Sequence, residues 1–200
     1  MKNSANRRTL ITEIAVFVFL VSLGAGLRIG LQDLPNFAPV AAMSLFAGYF
    51  FRRIFIAACV PMAVMLISDQ FIGSYDWYMM AMVYGMLVMP VLMRSPLRKL
   101  FRVKRGRIAS SLTSFAGLFV CGLFSSILFF LVTNLGSWLW FPMYERSLAG
   151  LLQCYTQGTP FFRHTLIGDA FFGFALFGSY TLAINFSLVA EPSLEGAKEG

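Results

Sequence analysis

Charged residues are scarce in this chain: Asp, Glu, Lys and Arg together make up 12% of its 200 residues. A soluble domain of this length carries about a quarter charged residues, so the composition excludes an ordinary soluble protein. By contrast, 58% of the residues are hydrophobic and the mean hydropathy is +0.73. Apolar stretches of about 15 to 25 residues match the roughly 30 Å hydrocarbon core of a bilayer. The sequence therefore predicts an all-α integral membrane protein.

Cysteine is also rare. Cys59, Cys121 and Cys154 form an odd set without Cys-x-x-Cys spacing, which argues against a disulfide framework or a metal site. The chain has no Gly-x-x-x-x-Gly-Lys-Ser/Thr loop, the sequence that cradles nucleotide phosphates in ATPases. We therefore predict no cofactor, and we expect any active process to take its energy from a partner protein or a gradient.

Six hydrophobic segments can be distinguished, of which one is short. The short segment, 37–51, would measure about 22 Å as a helix, so it requires a thinner bilayer or snorkelling of Arg52 and Arg53. The first segment lacks a small-residue cleavage site, which favours a retained helix over a signal peptide. The sequence predicts one six-helix domain over 1–190 and a polar tail at 191–200. The remaining segments are 11–30, 54–73, 77–93, 108–132 and 166–190.

The basic residues lie between alternate hydrophobic segments. With a cytoplasmic N-terminus, all Lys and Arg except Arg28, Arg146 and Arg163 fall on the inner side. The positive-inside rule then predicts that both termini are cytoplasmic, with a long outer loop at 133–165 between the fifth and sixth helices. This rule explains the net charge of +7 better than a nucleic acid partner does. It also explains the basic run 94–107 better than a specific site for anionic lipids.

Ionisable residues recur near the predicted outer ends of the helices. Arg28 lies near the end of the first helix, Asp69 near the end of the third, and Asp169 near the start of the sixth. Such residues are costly inside a membrane, and they usually pair and line a site. The similar stretches LISDQFIG at 66–73 and LIGDAFFG at 166–173 favour two aspartates converging on one outer site, with coincidence as the alternative.

Each of these features also has a purely structural explanation. Arg28 can snorkel to the outer headgroups, and Asn36 can cap the second helix. Trp138 fits an interfacial aromatic belt, and His164 fits an interfacial position without chemistry. The segment 147–157 is too short to span, so it is predicted to lie flat on the membrane or to re-enter it.

A resemblance to a known family covers most of residues 25–180. It is carried by five stretches: PNFAPVAAMSLFAGYF, LISDQFIG, LFFLVTNLGSWL, MYERSLAGLLQCY and TPFFRHTLIGDAFF. Together they resemble an uncharacterised family of bacterial inner-membrane proteins, described as transport proteins and similar to the substrate-binding S component of energy-coupling factor (ECF) transporters. The resemblance implies six helices with cytoplasmic ends and a solute site near the outer face. It also implies partnership with a transmembrane coupling protein and ATPases.

We therefore expect a multi-pass protein of the bacterial inner membrane that binds a small organic solute in an outward-facing pocket for uptake, and that is not an enzyme. Arg28 and Arg163 would attract an anionic group on the solute. Asp69 and Asp169 would pair with these cations or accept hydrogen bonds. The other residues expected to shape the pocket are Asn36, Tyr84, Asn134, Trp138 and Tyr155.

Two alternatives remain open. His164 and Asp169 have the His-x-x-x-x-Asp spacing of glycerolipid acyltransferases, in which the aspartate orients the histidine as a general base. No Glu-Gly-x-Arg block accompanies them, and positions five residues apart diverge by about 140° on a continuous helix. The second alternative is a structural role in membrane assembly.

The predicted topology can be tested with reporter fusions. Fusions after Arg53, at Lys99 and after Lys198 should report the cytoplasm, because basic residues are retained on the inner side. Fusions near Ser74 and Glu145 should report the outer side. A cytoplasmic signal at Glu145 would contradict the six-helix topology.

Overall fold

The computed structural model describes residues 2–34, 36–73, 76–103 and 108–186, with side chains from residue 10 onwards except those of 108–113. Within these residues all regular secondary structure is helical, which confirms the all-α prediction. The elements are α1 (Lys2–Gly30), α2 (Val40–Phe50), α3 (Ile54–Ile72), α4 (Trp77–Val88), a 3-10 segment (Met89–Met93), α5 (Arg94–Leu100), α6 (Ile108–Trp140) and α7 (Leu148–Asn185).

Some predicted features lie outside the described residues. These are the polar tail 191–200, the fusion positions Ser74 and Lys198, and the last part of the basic run, 104–107.

Within the described part of the chain, five helical stretches are long and apolar enough to cross a membrane. The fourth predicted helix, 77–93, continues through the 3-10 segment and α5, so the apolar stretch extends to Leu100. The third predicted helix, 54–73, agrees with α3 to within one residue. The five stretches are Leu10–Gly30, Ile54–Ile72, Trp77–Leu100, Ser114–Trp140 and Leu148–Asn185.

The second helix is shorter than predicted and lies at the centre of the bundle. It covers 11 residues, Val40–Phe50, or about 16 Å at 1.5 Å per residue. Ala42 and Ala47 are completely buried, and α1, α3, α4, α5, α6 and α7 all pack against α2. Because its neighbours enclose it, α2 does not need to match the bilayer thickness by itself.

Arginines from α5 fix the C-terminal end of α2. The Nε and Nη2 atoms of Arg98 donate to the carbonyl of Tyr49 at 3.0 and 2.9 Å, and Nη2 donates to that of Phe51 at 2.8 Å. Arg94 donates to the carbonyl of Arg52 at 2.8 Å. The last carbonyls of a helix have no partner within it, and cationic donors compensate for this. These contacts explain why α2 can end inside the bundle.

An aromatic cluster packs the same end of the bundle. Phe177 of α7 meets the ring of Phe101 at 4.9 Å and that of Tyr49 at 5.6 Å, both edge to face. Tyr180 contacts the ring of Tyr49 at 5.9 Å and that of Phe46 at 5.6 Å, and Phe177 contacts Phe46 at 5.2 Å. Edge-to-face pairs add about 0.5–1.5 kcal/mol each to the area that they bury. The cluster therefore holds α2, α7 and the segment after α5 together.

The helices alternate in direction between two chemically different ends. At one end Arg28, near the end of α1, meets Asp69, near the end of α3, and Trp140, at the end of α6, stacks near Tyr78 at the start of α4. We call this the pocket end. The opposite, basic end carries Arg52, Arg53, Arg94, Arg98, Lys99 and Arg102.

The prediction of a long outer loop at 133–165 is wrong, because most of this region is helical. α6 continues to Trp140 and α7 begins at Leu148, so only the turn 141–147 separates them. The polar residues of this region bond within the helices: Thr133 Oγ1 donates to the carbonyl of Phe129 at 2.7 Å, and Thr156 Oγ1 to that of Leu152 at 2.8 Å. Hydroxyls bonded in this way are compatible with a helix.

Two further predictions are corrected for the same reason. The segment 147–157 is not a separate flat or re-entrant element, because it forms the N-cap and first turns of α7. The sixth helix does not begin near Asp169 but at Leu148, and Asp169 lies inside it.

The close packing of α2 against the 3-10 segment predicts the effect of enlarging Gly48. A Cβ atom at this position would lie 2.8 Å from the carbonyl oxygen of Val91, so Gly48→Ala should lower the free energy of unfolding by about 1–3 kcal/mol through overpacking. Gly85→Ala is the matched control, because a Cβ there has nothing within 4 Å. Unfolding in detergent measures both variants, and equal stability of the two would contradict the packing.

Candidate functional site

A cavity of about 430 Å³ opens at the pocket end. Its volume lies within the range of about 300–1,000 Å³ that is typical of ligand sites. It is bounded by α1, the segment after α1, and α2, α3, α4, α6 and α7. Most of the lining is apolar, and the polar side chains are those of Arg28, Gln32, Asn36, Ser125, Ser126, Thr165 and Asp169.

The cavity exists because α2 starts late. The chain between α1 and α2 is irregular, and residues 31, 32, 34 and 36–38 of it line the cavity. Phe37 anchors this segment against Phe172 of α7, with ring centroids 5.4 Å apart. Irregular backbone at membrane depth is tolerated where it lines a cavity or is covered by protein. The late start of the short helix therefore leaves the space that the cavity occupies.

Asn36 lines the cavity but does not cap α2. Its φ is 60°, in the left-handed region that Asn adopts more readily than most residues. The residue before α2 is Pro39, which makes no side-chain capping bond. Asn36 therefore turns the chain, and its side chain lies in the cavity wall.

Arg28 and Asp69 form a buried ion pair. Nη1 of Arg28 contacts Oδ1 of Asp69 and donates to Oγ of Ser68 at 2.5 Å. The hydroxyl of Tyr84 donates to the other carboxylate oxygen, Oδ2 of Asp69, at 2.5 Å. The side chains are only 17% and 4% exposed for Arg28 and Asp69, respectively. Arg28 thus pairs with α3 instead of snorkelling, and Asp69 lies behind it instead of in the cavity wall.

Asp169 lies in a different wall and has a different kind of partner. Its Oδ2 atom accepts a hydrogen bond from Ser126 Oγ of α6, at 2.6 Å. Among the described residues, the pair of Arg28 and Asp69 is the only ion pair. Asp69 therefore pairs with a cation and Asp169 accepts a hydrogen bond, and the two aspartates share no cation among the described residues.

Four of the expected site residues lie outside the cavity wall: three bond to α6 or to the turn after it, and one is exposed on α7. Tyr155 donates to the carbonyl of Leu131 at 2.9 Å, and Trp138 donates from Nε1 to that of Glu145 at 2.8 Å. The other two are Asn134, whose Nδ2 donates within α6 at 2.8 Å, and the exposed Arg163.

The first three side chains bond to backbone carbonyls of α6 or of the adjoining turn, and none of the four lines the cavity. The long predicted loop suggested otherwise, because a loop would have let these side chains reach the pocket. In the continuous helices Tyr155 instead joins α7 to α6, and Trp138 joins α6 to the turn between them.

The sequence interpretation did not single out several polar lining residues. Ser125 and Ser126 of α6, Gln32 and Thr165 all line the cavity. The adjacent serines of α6 could have indicated the cavity, because polar residues of apolar membrane helices usually face a partner or a cavity.

The sequence spacing of the acyltransferase alternative is not matched by a bond between His164 and Asp169 among the described contacts of Asp169. Asp169 bonds to Ser126, and His164 does not line the cavity that Asp169 faces. Both residues lie on the continuous helix α7, where five residues turn the side chain by about 140°.

Fold and site together define an all-helical chain with the length and apolarity of a multi-pass membrane protein. Residues 8–191 match the model of a family of unknown function, DUF6580, and the chain belongs to this family. No curated protein and no solved structure matches the chain. Inferences about its activity therefore rest on the geometry of the site.

The buried ion pair predicts a large effect of removing its cation. Arg28→Ala should lower the free energy of unfolding by about 3–5 kcal/mol, because Asp69 is left charged and buried. Arg163→Ala is the matched control, and the exposed position should change stability by less than about 0.5 kcal/mol.

Adding Asp69→Asn to Arg28→Ala should restore part of the lost stability, because the neutral amide needs no cation. Chemical unfolding in detergent of the wild type, Arg28→Ala, Asp69→Asn and the double variant measures the coupling between the two residues. Strict additivity, or equal effects of the two arginine substitutions, would contradict the ion pair.

Proposed function

We propose that this protein binds a small organic solute in the cavity and takes part in its uptake across the bacterial inner membrane. The observation that carries the proposal is a cavity of about 430 Å³ with charged and amide side chains in its walls, set inside a bundle of apolar helices. Buried polar groups are costly in such surroundings unless they serve pairing or recognition.

The distribution of charge orients the protein in this proposal. The basic end faces the cytoplasm, since Lys and Arg are retained on that side. The pocket end, with Arg28, Asp69 and Asp169, then faces outwards. The six predicted helices connect the two ends, the short central α2 together with the irregular segment before it, and both termini are cytoplasmic. A solute would enter from outside.

Recognition fits the cavity better than catalysis does. Arg28, Gln32 and Asn36 offer hydrogen-bond donors and Asp169 offers an acceptor, the few polar groups in an apolar lining that are typical of ligand sites. His164, the histidine on which the acyltransferase alternative depends, does not line the cavity. We therefore propose a binding and transport protein and not an enzyme.

The energy for uptake would come from elsewhere. The chain has no P-loop sequence, so a transmembrane coupling protein with ATPases, as for ECF S components, or an ion gradient would drive transport. In either case this chain supplies the solute site.

Filling the cavity tests this proposal. Ala41 lines the cavity, so Ala41→Trp should occupy it and abolish solute binding. Ala81→Trp adds the same ring to an exposed position of α4 and should leave binding unchanged. Detergent-solubilised protein is incubated with a bacterial metabolite extract, and mass spectrometry identifies the small molecules that it retains.

Wild type and Ala81→Trp should retain the same solute, and Ala41→Trp should lose at least about nine-tenths of it, as a tenfold or greater fall in affinity requires. Retention of the same compounds by all three proteins would contradict a site in the cavity. So would the absence of any solute enriched by the wild type over Ala41→Trp.

A further inference from the structure

The ion pair decides which charge the cavity presents. Asp69 neutralises Arg28, and Tyr84 occupies the second carboxylate oxygen. Asp169 bonds to a hydroxyl and forms no ion pair with any described residue. Among the described lining residues, the carboxyl group of Asp169 is therefore the acidic or basic group without an ionic partner. This reverses the expectation of an anionic solute.

Other parts of the cavity wall offer hydrogen-bond donors. Arg28 uses Nη1 for both Asp69 and Ser68, and its Nη2 and Nε groups donate to no other described residue, which leaves them for a ligand. The first turn of α2 borders the cavity at Val40 and Ala41 and has no side-chain cap. The N–H groups of a first turn have no partner within the helix. Such a wall suits an oxygen atom that accepts hydrogen bonds.

We propose that the solute carries a protonated amine that pairs with Asp169, and a hydroxyl, carbonyl or carboxylate oxygen that faces Arg28 and the start of α2. This inference rests on the proposed function, because it assigns the solute class of the same cavity. The amine would be the cationic partner that Asp169 lacks among the described residues. A carboxylate shielded from water binds a cation more strongly than an exposed one does.

Ser126 gives Asp169 a hydrogen-bond partner when no amine is bound. Its Oγ atom lies 2.6 Å from Oδ2 of Asp169 and 2.9 Å from the carbonyl oxygen of Gly122. A hydroxyl has one hydrogen, so it can donate to an ionised Asp169 or, when the carboxyl is protonated, accept from it and donate to Gly122. The same geometry therefore serves both the charged and the neutral carboxyl.

The charge preference of the cavity can be measured with thiol reagents of different charge. Ala41→Cys places a thiol in the cavity wall of full-length protein whose native cysteines, Cys59, Cys121 and Cys154, are replaced by serine. The probes are trimethylammonioethyl, sulfonatoethyl and hydroxyethyl methanethiosulfonate, which are cationic, anionic and neutral. Each labelling rate is divided by the rate of the same reagent with a small free thiol.

The cationic reagent should react faster than the anionic one, and Asp169→Asn should lower their rate ratio by about tenfold or more, because the substitution removes one nearby charge. Asp33→Asn is the control: it makes the same change at the pocket end, in an exposed residue that does not line the cavity. It should change the ratio by less than about twofold, because water screens exposed charges.

The outcomes separate the two proposals. If the neutral reagent reacts but the anionic reagent is favoured, or Asp169→Asn leaves the ratio unchanged, the amine proposal fails and the cavity remains a solute site. If the neutral reagent does not reach Ala41→Cys although thermal unfolding shows a folded protein, the outward-facing cavity fails, and both proposals fail with it.

Discussion

The length of α2 is the constraint on which the rest of the structure depends. A helix of 11 residues spans about 16 Å, roughly half of a hydrocarbon core. Its C-terminal carbonyls end inside the bundle, and Arg98 and Arg94 extend from α5 to bind the carbonyls there. At its other end the remaining depth is filled by the irregular segment after α1 and by the cavity. One short helix thus accounts for the arginines at the basic end and for the space at the pocket end.

The two carboxylates of the pocket end illustrate how partners determine roles. Asp69 is a structural group, since a guanidinium and two hydroxyl-bearing residues, Ser68 and Tyr84, organise the ion pair behind the cavity wall. Asp169 faces the cavity itself and has a hydroxyl as its partner. The first arrangement is complete within the protein, whereas the second lacks a cation among the described residues. This difference, and not the number of charges, makes Asp169 the group to which a solute amine would bind.

The sequence predicted the helices better than the space between them. Composition and apolar length were sufficient for α3. The cost of isolated charges in an apolar bundle predicted only that Asp69 pairs with an outer arginine or accepts hydrogen bonds, and the structure gives Arg28 as its partner. The predicted loop at 133–165 is wrong because a polar composition does not exclude a helix. Thr133 and Thr156 instead bond to carbonyls four residues earlier, a pairing that composition does not reveal. That error also placed Tyr155 in the pocket, and the cavity residues Ser125 and Ser126 were missed because their direction depends on how α6 packs.

An experimental structure of the full-length protein, bound to an antibody fragment and solved with a metabolite extract present, tests the account most directly. The account predicts an ordered small molecule between Arg28 and Asp169, with a nitrogen atom within about 3 Å of the carboxylate of Asp169, as in charge-assisted hydrogen bonds. A cavity closed by the side chains of the segment between α1 and α2, or filled by a lipid acyl chain from the bilayer, would contradict it.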